Sequence, residues 1–484
     1  MAYRDLREFI GLLEKRGELR RISTPVDCDL EITEITDRVS KKNGPALLFE
    51  NVIGYDVPIL TNTFGSMKRM ALALGVDHLD IIADEVRSFL KLPFLTFESK
   101  LDMLKLMPIA KRIMDCFPRY VKNGPCKEVI IKEEDVDLRK IPVLKCWPGD
   151  GGPFVTLPLV FTKNPRTGKR NVGMYRLQVF DKNTTGMHWH MHHNGAENYR
   201  DSKAMGKRIE VAVAIGGDPA LIYAASAPLP RDIDEVIFAG FLRKKPIELV
   251  KCETVDLEVP ADAEYVLEGY VDPEELRAEG PFGDHTGYYS QVDRYPVFHI
   301  KCITHRKKPI YPATVVGKPP MEDCYLGKAT ERLFLPVLQL QLPEIVDLNL
   351  PLEGVFHNCA IISINKAYPA HAKKVMHAVW GMGQMMFTKM IIIVDEHVNI
   401  HDLSEVWWRV YNNIDAARDV VIVEGPLDAL DHSSPNAHFG SKMGIDATKA
   451  WRSEGYTRDW PEEITMSEAV KKRVDEKWKE LNLE

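Results

Sequence analysis

The sequence has few of the features that mark membrane, secreted or nucleic-acid-binding proteins. Its longest apolar stretches, such as residues 390–394, are far too short to cross a bilayer, and no signal-peptide block follows Met1. The eight cysteines are scattered without a C-x-x-C pair, which indicates reduced thiols and predicts a cytoplasmic protein. Acidic and basic residues are mixed at a net charge of -7, so we expect no nucleic-acid partner.

Local signatures of several enzyme classes are missing too. None of the Gly-Lys pairs is followed by the Ser or Thr of a P-loop. There is no G-x-S-x-G elbow and no H-E-x-x-H helix. These absences argue against a nucleotide-driven motor, a serine hydrolase and a zincin.

The patterns that are present indicate a mixed α/β protein of two or three domains. The 484 residues are too many for one compact core, and 45% apolar with 27% charged residues is ordinary for a globular chain. Asp5 and Glu8 form a capping-box pattern before an apolar helical face, and a second helix is expected over 31–42, ending at Gly44. Further helices are expected over 370–381, 403–414 and 467–483, and strands over 155–162, 171–180, 209–215, 255–259, 263–270, 359–364 and 390–394.

The order of these patterns predicts a central β-rich region, a barrel or a sandwich, followed by an α/β region after about Ala329. We place the boundaries at 1–125 for an N-terminal α/β domain, 126–328 for the central domain and 329–460 for a C-terminal α/β domain. Residues 461–484 are expected to form a charged helix that contacts a partner subunit.

An unusual concentration of histidine occurs in residues 187–193, MHWHMHH. In a strand, His188, His190 and His192 would project from one face, and imidazoles at that spacing suit a transition metal. The alternative is a polar strand face that is satisfied by water and carboxylates. We expect at least one of these histidines to bind a metal ion, but not three together.

Two carboxylates, Glu279 and Asp284, flank a Gly-Pro turn in the segment EGPFGDHTGYY at residues 279–289. Crowded carboxylates raise one another's pKa, and a nearby arginine can hold one of them ionised. This arrangement suits proton donation to a carbon. An acidic surface loop is the alternative.

Two further segments are candidates for a ligand-binding site, but each can also be explained as ordinary secondary structure or loop. In NVGMYR, residues 171–176, strand alternation puts Asn171 and Arg176 on opposite faces unless Gly173 permits a bulge. It could equally be an ordinary half-buried strand. In AASAPLP, residues 224–230, small side chains would let the backbone approach a flat ligand, although a simple loop explains them as well.

These segments, in this order, resemble the UbiD family of decarboxylases that use prenylated flavin mononucleotide (prenylated FMN). The resemblance runs nearly end to end, and its nearest members are the 4-hydroxy-3-polyprenylbenzoate decarboxylases of ubiquinone synthesis. It rests on GPALLFEN (44–51), NVGMYR (171–176), LEGY (267–270), EGPFGDHTGYY (279–289), DALDH (428–432) and GSKMGIDAT (440–448).

The resemblance implies a set of site residues. Asn171, His192 and Glu235 match the ligands of a divalent ion, typically Mn²⁺. Glu279, Arg176 and Asp284 match the catalytic network, in which some relatives carry a second glutamate in place of Asp284. The resemblance also implies that the flavin contacts the three metal ligands, Arg176, and the residues Gly173, Met174, Tyr175, Ala225, Ser226, Ala227, Pro228 and Lys389. A second, monovalent ion, K⁺, is implied near residues 225–228.

The resemblance also implies a function and a fold. The expected reaction is the reversible, non-oxidative decarboxylation of a hydroxybenzoate-type or polyprenylated aromatic acid through a covalent prenylated-FMN adduct, with Glu279 as a proton donor of raised pKa. A flavin prenyltransferase would provide the cofactor. The expected fold is a split β-barrel flavin domain between two α/β domains, in a homodimer or homohexamer.

Other functions remain open at this point. The substrate could be another aromatic, heteroaromatic or naphthoic acid. An H-x-H metalloenzyme that holds iron with His188, His190 and His192 is a second possibility, and an accessory carboxylase subunit is a third. The presence of Glu279, Arg176 and Asp284 together argues against an accessory subunit.

Overall fold

A computed structural model describes residues 2–91, 107–189, 194–230 and 233–481 of the chain. The N-terminal part begins with α1 (Leu6–Lys15), β1 (Leu19–Ile22), α2 (Glu31–Ser40), β2 (Ala46–Phe49), β3 (Ile59–Thr61), α3 (Met67–Ala73), α4 (Asp80–Leu90) and α5 (Met107–Met114). Strand β2 pairs in parallel with β1 and antiparallel with β3. This small sheet is covered by the buried apolar faces of the helices.

Helix α1 begins as its sequence predicts. The Asp5 carboxylate accepts a hydrogen bond from the backbone N–H of Glu8, 3.1 Å away, and caps the first turn. Leu6 and Phe9 lie on the buried face. Helix α2 ends at Ser40, two residues earlier than predicted, and the left-handed residue after it is Asn43 (φ 52°) instead of Gly44.

The central part is built on a long antiparallel sheet. It contains β4 (Arg119–Val121), β5 (Val129–Lys132), β6 (Phe154–Val155), β7 (Pro158–Lys163), β8 (Arg170–Gly173), β9 (Leu177–Gln178), β10 (Thr184–Gly186), α6 (Asn194–Ala204), β11 (Ile209–Ile215), α7 (Pro219–Ala224), α8 (Glu235–Arg243), β12 (Glu248–Lys251), β13 (Glu258–Pro260), β14 (Tyr265–Glu279), β15 (Phe282–Gly283), β16 (Tyr289–Ser290), β17 (Asp293–His305) and β18 (Tyr311–Pro312). The strand order is β10-β17-β14-β11-β7-β8, and β5 also pairs with β17. Strands β10 and β8 are the first and last strands in this order and do not pair with each other.

Two of the predicted strands are each divided in the structure. The predicted strand 155–162 is β6 followed by β7, and 171–180 is β8 followed by β9. Strand β11 has its predicted bounds, and 263–270 falls mostly within the longer β14. That strand pairs with β17 along most of its length and ends with Glu279 opposite Asp293, which sets the position of the turn that follows.

The C-terminal part is an α/β layer. It comprises α9 (Glu322–Gln341), β19 (Ile345–Asn349), β20 (Cys359–Ile364), α10 (His371–Trp380), β21 (Met390–Asp395), α11 (Leu403–Asn413), α12 (Ala416–Asp419), β22 (Val420–Pro426), β23 (Phe439–Asp446) and α13 (Glu468–Trp478). Strands β20, β21 and β23 are parallel, and β19 and β22 are antiparallel at the edges. The predicted elements here agree with the structure to within a few residues at each end.

Backbone pairing links the N-terminal and central parts. Strand β18 of the central part pairs with β3 of the N-terminal part, and β4, which precedes residue 125, pairs with β12, so both strand pairs cross the predicted boundary at residue 125. The domain boundaries given above therefore stay predictions. Across the described ranges, no helix is both long enough and apolar enough to span a membrane.

Candidate active site

The chain breaks its extended course at Gly173. A Cβ atom at this position would lie 2.1 Å from the ring of Tyr175, so any larger residue at 173 would require this buried ring to move. Residues 174–176 lie between β8 and β9 and belong to neither strand. As a result Asn171 and Arg176 reach different partners, the carboxylates of Glu235 and Glu279 respectively.

Arg176 joins two buried carboxylates. Its Nε donates to Glu279 Oε1 at 3.0 Å, and its Nη1 donates to Asp284 Oδ2. Its Nη2 donates to Ser290 Oγ at 3.1 Å, and the guanidinium carbon lies 4.5 Å from the centroid of the Phe282 ring. Glu279 is 1% exposed and Asp284 is 6% exposed. The sequence-predicted trio is thus one ion-paired network at the end of β14 and in the β15–β16 hairpin.

His188 is a member of the site that the sequence did not identify. Its Nδ1 lies 2.9 Å from Glu279 Oε2, its backbone N–H donates to Arg176 O, and its ring lies 4.3 Å from that of Tyr295. Residues 187–189 follow β10 as irregular chain, so the strand geometry considered for the histidine segment does not occur in its described part. His190, His192 and His193 lie outside the described residues.

The carboxylates of this network are held in their ionised form. Burial raises the pKa of Glu279, but His188 and Arg176 outweigh it, so the pKa lies below its usual value. Burial also raises the pKa of Asp284, but His285 and Arg176 outweigh it and hold the pKa well below the usual range. The raised pKa expected for Glu279 is therefore wrong for this arrangement of side chains, because the sequence did not predict the His188 contact.

Asn171 and Glu235 form a second polar centre. Asn171 Nδ2 donates to Glu235 Oε1 at 3.1 Å, and the backbone N–H of Val172 donates to Oε2 at 2.9 Å. Asn171 Oδ1 is buried and has no hydrogen-bonding partner in the described part of the chain. Burial raises the pKa of Glu235 to about 7. A buried carboxylate beside a free amide oxygen fits a hard divalent cation.

The segments expected to contact a flavin are partly brought together. The backbone N–H of Met174 donates to Ala225 O at 3.1 Å, which places residues 173–175 beside residues 225–228. Tyr175 is buried, and its hydroxyl accepts from the backbone N–H of Gly195 at 3.3 Å. Ser226 is exposed and its hydroxyl donates to Tyr223 O.

Lys389 is not joined to these residues. Its Nζ donates to Asp431 Oδ2 at 2.7 Å and to Ser433 Oγ, both in the loop between β22 and β23. It lines a cavity of about 1070 Å³ on the C-terminal sheet, together with Trp407 and Tyr411. Its predicted contact with a flavin phosphate stays a prediction.

Three profiles of one family match the chain in order. They describe the N-terminal domain (residues 10–87), the Rift-related domain (119–319) and the C-terminal domain (324–447) of 3-octaprenyl-4-hydroxybenzoate carboxy-lyase. A protein from Archaeoglobus fulgidus is 54% identical over 483 residues, which is 99% of each chain.

Solved structures are similar over the full length. The UbiD-class enzyme HmfF from Pelotomaculum thermopropionicum, in complex with FMN, has a TM-score of 0.81 at 32% identity and covers 96% of this chain and 98% of its own. An evolved dimeric form of HmfF, in complex with prFMN, has a TM-score of 0.79 at 30% identity and covers 97% and 98%. The vanillic acid decarboxylase of Sedimentibacter hydroxybenzoicus has a TM-score of 0.85 at 31% identity and covers 100% of both chains. The chain belongs to the UbiD family of decarboxylases.

Proposed function

We propose that the protein catalyses the reversible, non-oxidative decarboxylation of a hydroxybenzoate-type aromatic acid, with prenylated FMN and Mn²⁺ as cofactors. The observation that carries this proposal is Arg176 held between Glu279 and Asp284 in a buried network. Support for the aromatic acid comes from the family profiles and from the vanillic acid decarboxylase. Support for the flavin comes from the HmfF complexes.

The cofactors have residues that fit them. Asn171 and Glu235, with His192 as a further ligand, would hold Mn²⁺ through oxygen donors and one imidazole. The flavin would lie against Gly173, Met174, Tyr175 and the backbone of residues 225–228, with Lys389 at its phosphate and K⁺ near residues 225–228. When bound, prenylated FMN supplies the electron sink that no side chain provides once carbon dioxide leaves.

Arg176 and Glu279 carry the part of the reaction that depends on this chain. Arg176 binds the substrate carboxylate through a charge-assisted hydrogen bond. The added negative charge competes for the guanidinium and raises the pKa of Glu279, which then takes up a proton from water before the site closes on the substrate. After carbon dioxide leaves, Glu279 donates this proton to the vacated ring carbon as general acid. Asp284 stays ionised and keeps Arg176 in place.

The alternative of an iron site on His188, His190 and His192 has little support. His188 Nδ1 contacts Glu279, and residues 187–189 are not in a strand that would align alternate histidines. The accessory-subunit alternative is disfavoured by the complete Glu279–Arg176–Asp284 network.

The deciding experiment is co-expression with a flavin prenyltransferase, followed by mass measurement of the released cofactor and by metal analysis. We expect prenylated FMN with Mn²⁺, and turnover of at least one aromatic acid in a panel of hydroxybenzoates and their prenylated, naphthoic and heteroaromatic relatives. Glu279→Gln should retain the cofactor and lose turnover. Iron without flavin, or full turnover by Glu279→Gln, would contradict the proposal.

We also propose that the C-terminal helix contacts a second copy of the chain. Helix α13 has no buried residue, and Val474 and Trp478 lie four residues apart on one face and are each more than a third exposed. Light scattering should give the mass of a homo-oligomer that falls in the variant Val474→Glu/Trp478→Glu. The variant Lys471→Glu on the same helix serves as the control. An unchanged mass in the double variant would contradict this assignment.

A further inference from the structure

Three metal-ligating side chains meet between the β15–β16 hairpin and the C-terminal α/β layer. His285 lies in the hairpin, His357 lies just before β20, and Asp428 lies in the loop after β22. One ligand atom from each residue lies within 4.8 Å of the other two, and His357 Nε2 is 3.7 Å from Asp428 Oδ2. In the ranges that the structure describes, no other group of at least three such residues meets this distance limit.

Both imidazoles present to this cluster an Nε2 atom that makes no hydrogen bond to the described residues. His285 Nδ1 is 2.8 Å from Asp284 Oδ1, which fixes the ring orientation and leaves Nε2 as the free position. The Nε2 atoms of His285 and His357 are both buried, and neither has a hydrogen-bonding partner among the described residues. Metal-ligating histidines commonly donate their other N–H to a carboxylate in this way. Burying two such atoms without a partner is unfavourable, which favours a ligand at this position.

The charge around the cluster is favourable for a cation. Asp428 is a member of the cluster, and Asp284 is hydrogen-bonded to His285. Asp323, at the start of α9, interacts electrostatically with His285, and its Oδ2 is buried without a hydrogen-bonding partner in the described part of the chain. Two imidazole nitrogens with carboxylate oxygen are donors that suit a divalent transition metal such as Zn²⁺.

We infer that His285, His357 and Asp428 form a binding site for a divalent transition-metal ion of the Zn²⁺ class. This site uses none of the residues assigned above to Mn²⁺ and does not depend on the proposed reaction. Because its ligands come from the central part and from the C-terminal layer, a bound ion cross-links these two parts of the fold. Through Asp284, the ion would also fix one end of the network around Arg176.

The test uses the full-length protein after treatment with a chelator, titrated with Zn²⁺ or with Co²⁺, whose visible absorption reports the ligand geometry. The titration is made in the Glu235→Gln background, so that the other candidate cation site does not contribute. We expect one equivalent of Zn²⁺ to bind and a Co²⁺ absorption band to form. Both should be lost in His357→Gln and in Asp428→Asn.

The matched control is His432→Gln. His432 lies in the same loop as Asp428, but its ring packs against that of Tyr288, with 4.1 Å between ring centroids, and it does not belong to the cluster. It should bind Zn²⁺ as the parent does. A second readout is the thermal unfolding midpoint, which Zn²⁺ should raise in the parent and in His432→Gln but not in His357→Gln.

Three results would overturn the assignment. The first is no Zn²⁺ binding in the Glu235→Gln background, and the second is equal binding by His357→Gln and Asp428→Asn. The third is binding that is lost equally in His432→Gln. Should His357→Gln lose its fold by circular dichroism, Asp428→Asn, which is close in shape to the parent residue, decides the outcome alone. None of these results bears on the cofactor measurement that tests the decarboxylase.

Discussion

Replacing Arg176 by lysine tests whether one guanidinium must serve both carboxylates. Arg176 donates from three different nitrogens to Glu279, Asp284 and Ser290. Lysine keeps the positive charge but carries all its donors on one nitrogen atom. It therefore cannot reach all three of the groups that the planar guanidinium contacts from separate nitrogens. Arg176→Lys therefore loses at least one charge-assisted hydrogen bond in a site where both acids are buried.

The size of the effect follows from that loss. A hydrogen bond to a charged group contributes about 1.5–3 kcal/mol, and each ~1.4 kcal/mol lost from the transition state is a factor of about ten in rate. We expect kcat/KM to fall roughly 10- to 150-fold. The carboxylate that loses its arginine contact also takes up a proton more readily, because only its histidine neighbour then opposes the effect of burial on its pKa.

The assay compares decarboxylation rates of holoenzymes whose flavin content has been matched by absorbance, since Arg176 also belongs to the expected flavin contacts. The control is Arg208→Lys, because Arg208 also pairs with an acid (Asp272, 3.0 Å) and also lies over an aromatic ring (Tyr270, 4.5 Å), but it is largely exposed. Exposed pairs contribute little, so the control should stay within about twofold of the parent. A flavin-loaded Arg176→Lys enzyme within threefold of the parent would refute the reasoning.

Three further changes have defined outcomes. His188→Phe keeps a ring against Tyr295 but removes the imidazole donor to Glu279, which helps to keep the pKa of this carboxyl low. The inflection that Glu279 contributes to the pH profile of kcat/KM should therefore move to higher pH. His188→Asn, which keeps an N–H donor, should show a smaller shift, and equal profiles would contradict the assigned contact. Gly173→Ala should lower the free energy of unfolding in a denaturant titration by about 1–3 kcal/mol, because its Cβ meets Tyr175, whereas Gly11→Ala, with no atom within 4 Å, should not lower it. Burial raises the pKa of Glu322 from 4.5 to about 7. The stability that comes from its neutral form is therefore present below pH 4.5 and is lost as the pH rises through 7. In denaturant titrations, the free energy of unfolding of Glu322→Gln should exceed that of the parent by up to about 3 kcal/mol at pH 8 and by much less at pH 5.

Local sequence patterns predicted the elements whose structure is determined locally. The parallel strands β20 and β21 are short apolar runs that are buried on both faces, and such runs are easily recognised between helical segments. The cap at Asp5 depends on residues three apart in sequence and was confirmed. The resemblance to the UbiD family predicted both the family of the chain and its mixed α/β fold, and the comparisons confirm both predictions.

The errors come from features that depend on distant residues. Alternation along the strand left a bulge at Gly173 open, and the position of the Tyr175 ring beside residue 173 in the structure decides for a break there. His188 meets Glu279 across 91 residues of sequence, so the local spacing of the histidines could not identify this partner. Of the two interpretations left open for the histidine segment, contact with a carboxylate is the one that His188 makes in the structure, and metal binding by His192 stays a prediction.

The two buried glutamates of the candidate site show why partners, more than burial, decide what each group can do. Glu235 is 5% exposed and Glu279 is 1% exposed, yet burial raises the pKa of Glu235 to about 7 while the pKa of Glu279 lies below its usual value. The difference is that Glu279 has a guanidinium and an imidazole beside it, whereas the hydrogen-bond donors to Glu235 are the neutral amides of Asn171 and Val172. In the proposed reaction, Glu279 would therefore gain or lose a proton as the charge on Arg176 is shared with the substrate. Glu235 becomes a stable carboxylate when a cation binds, which is why we assign the proton transfer to Glu279 and the metal to Glu235.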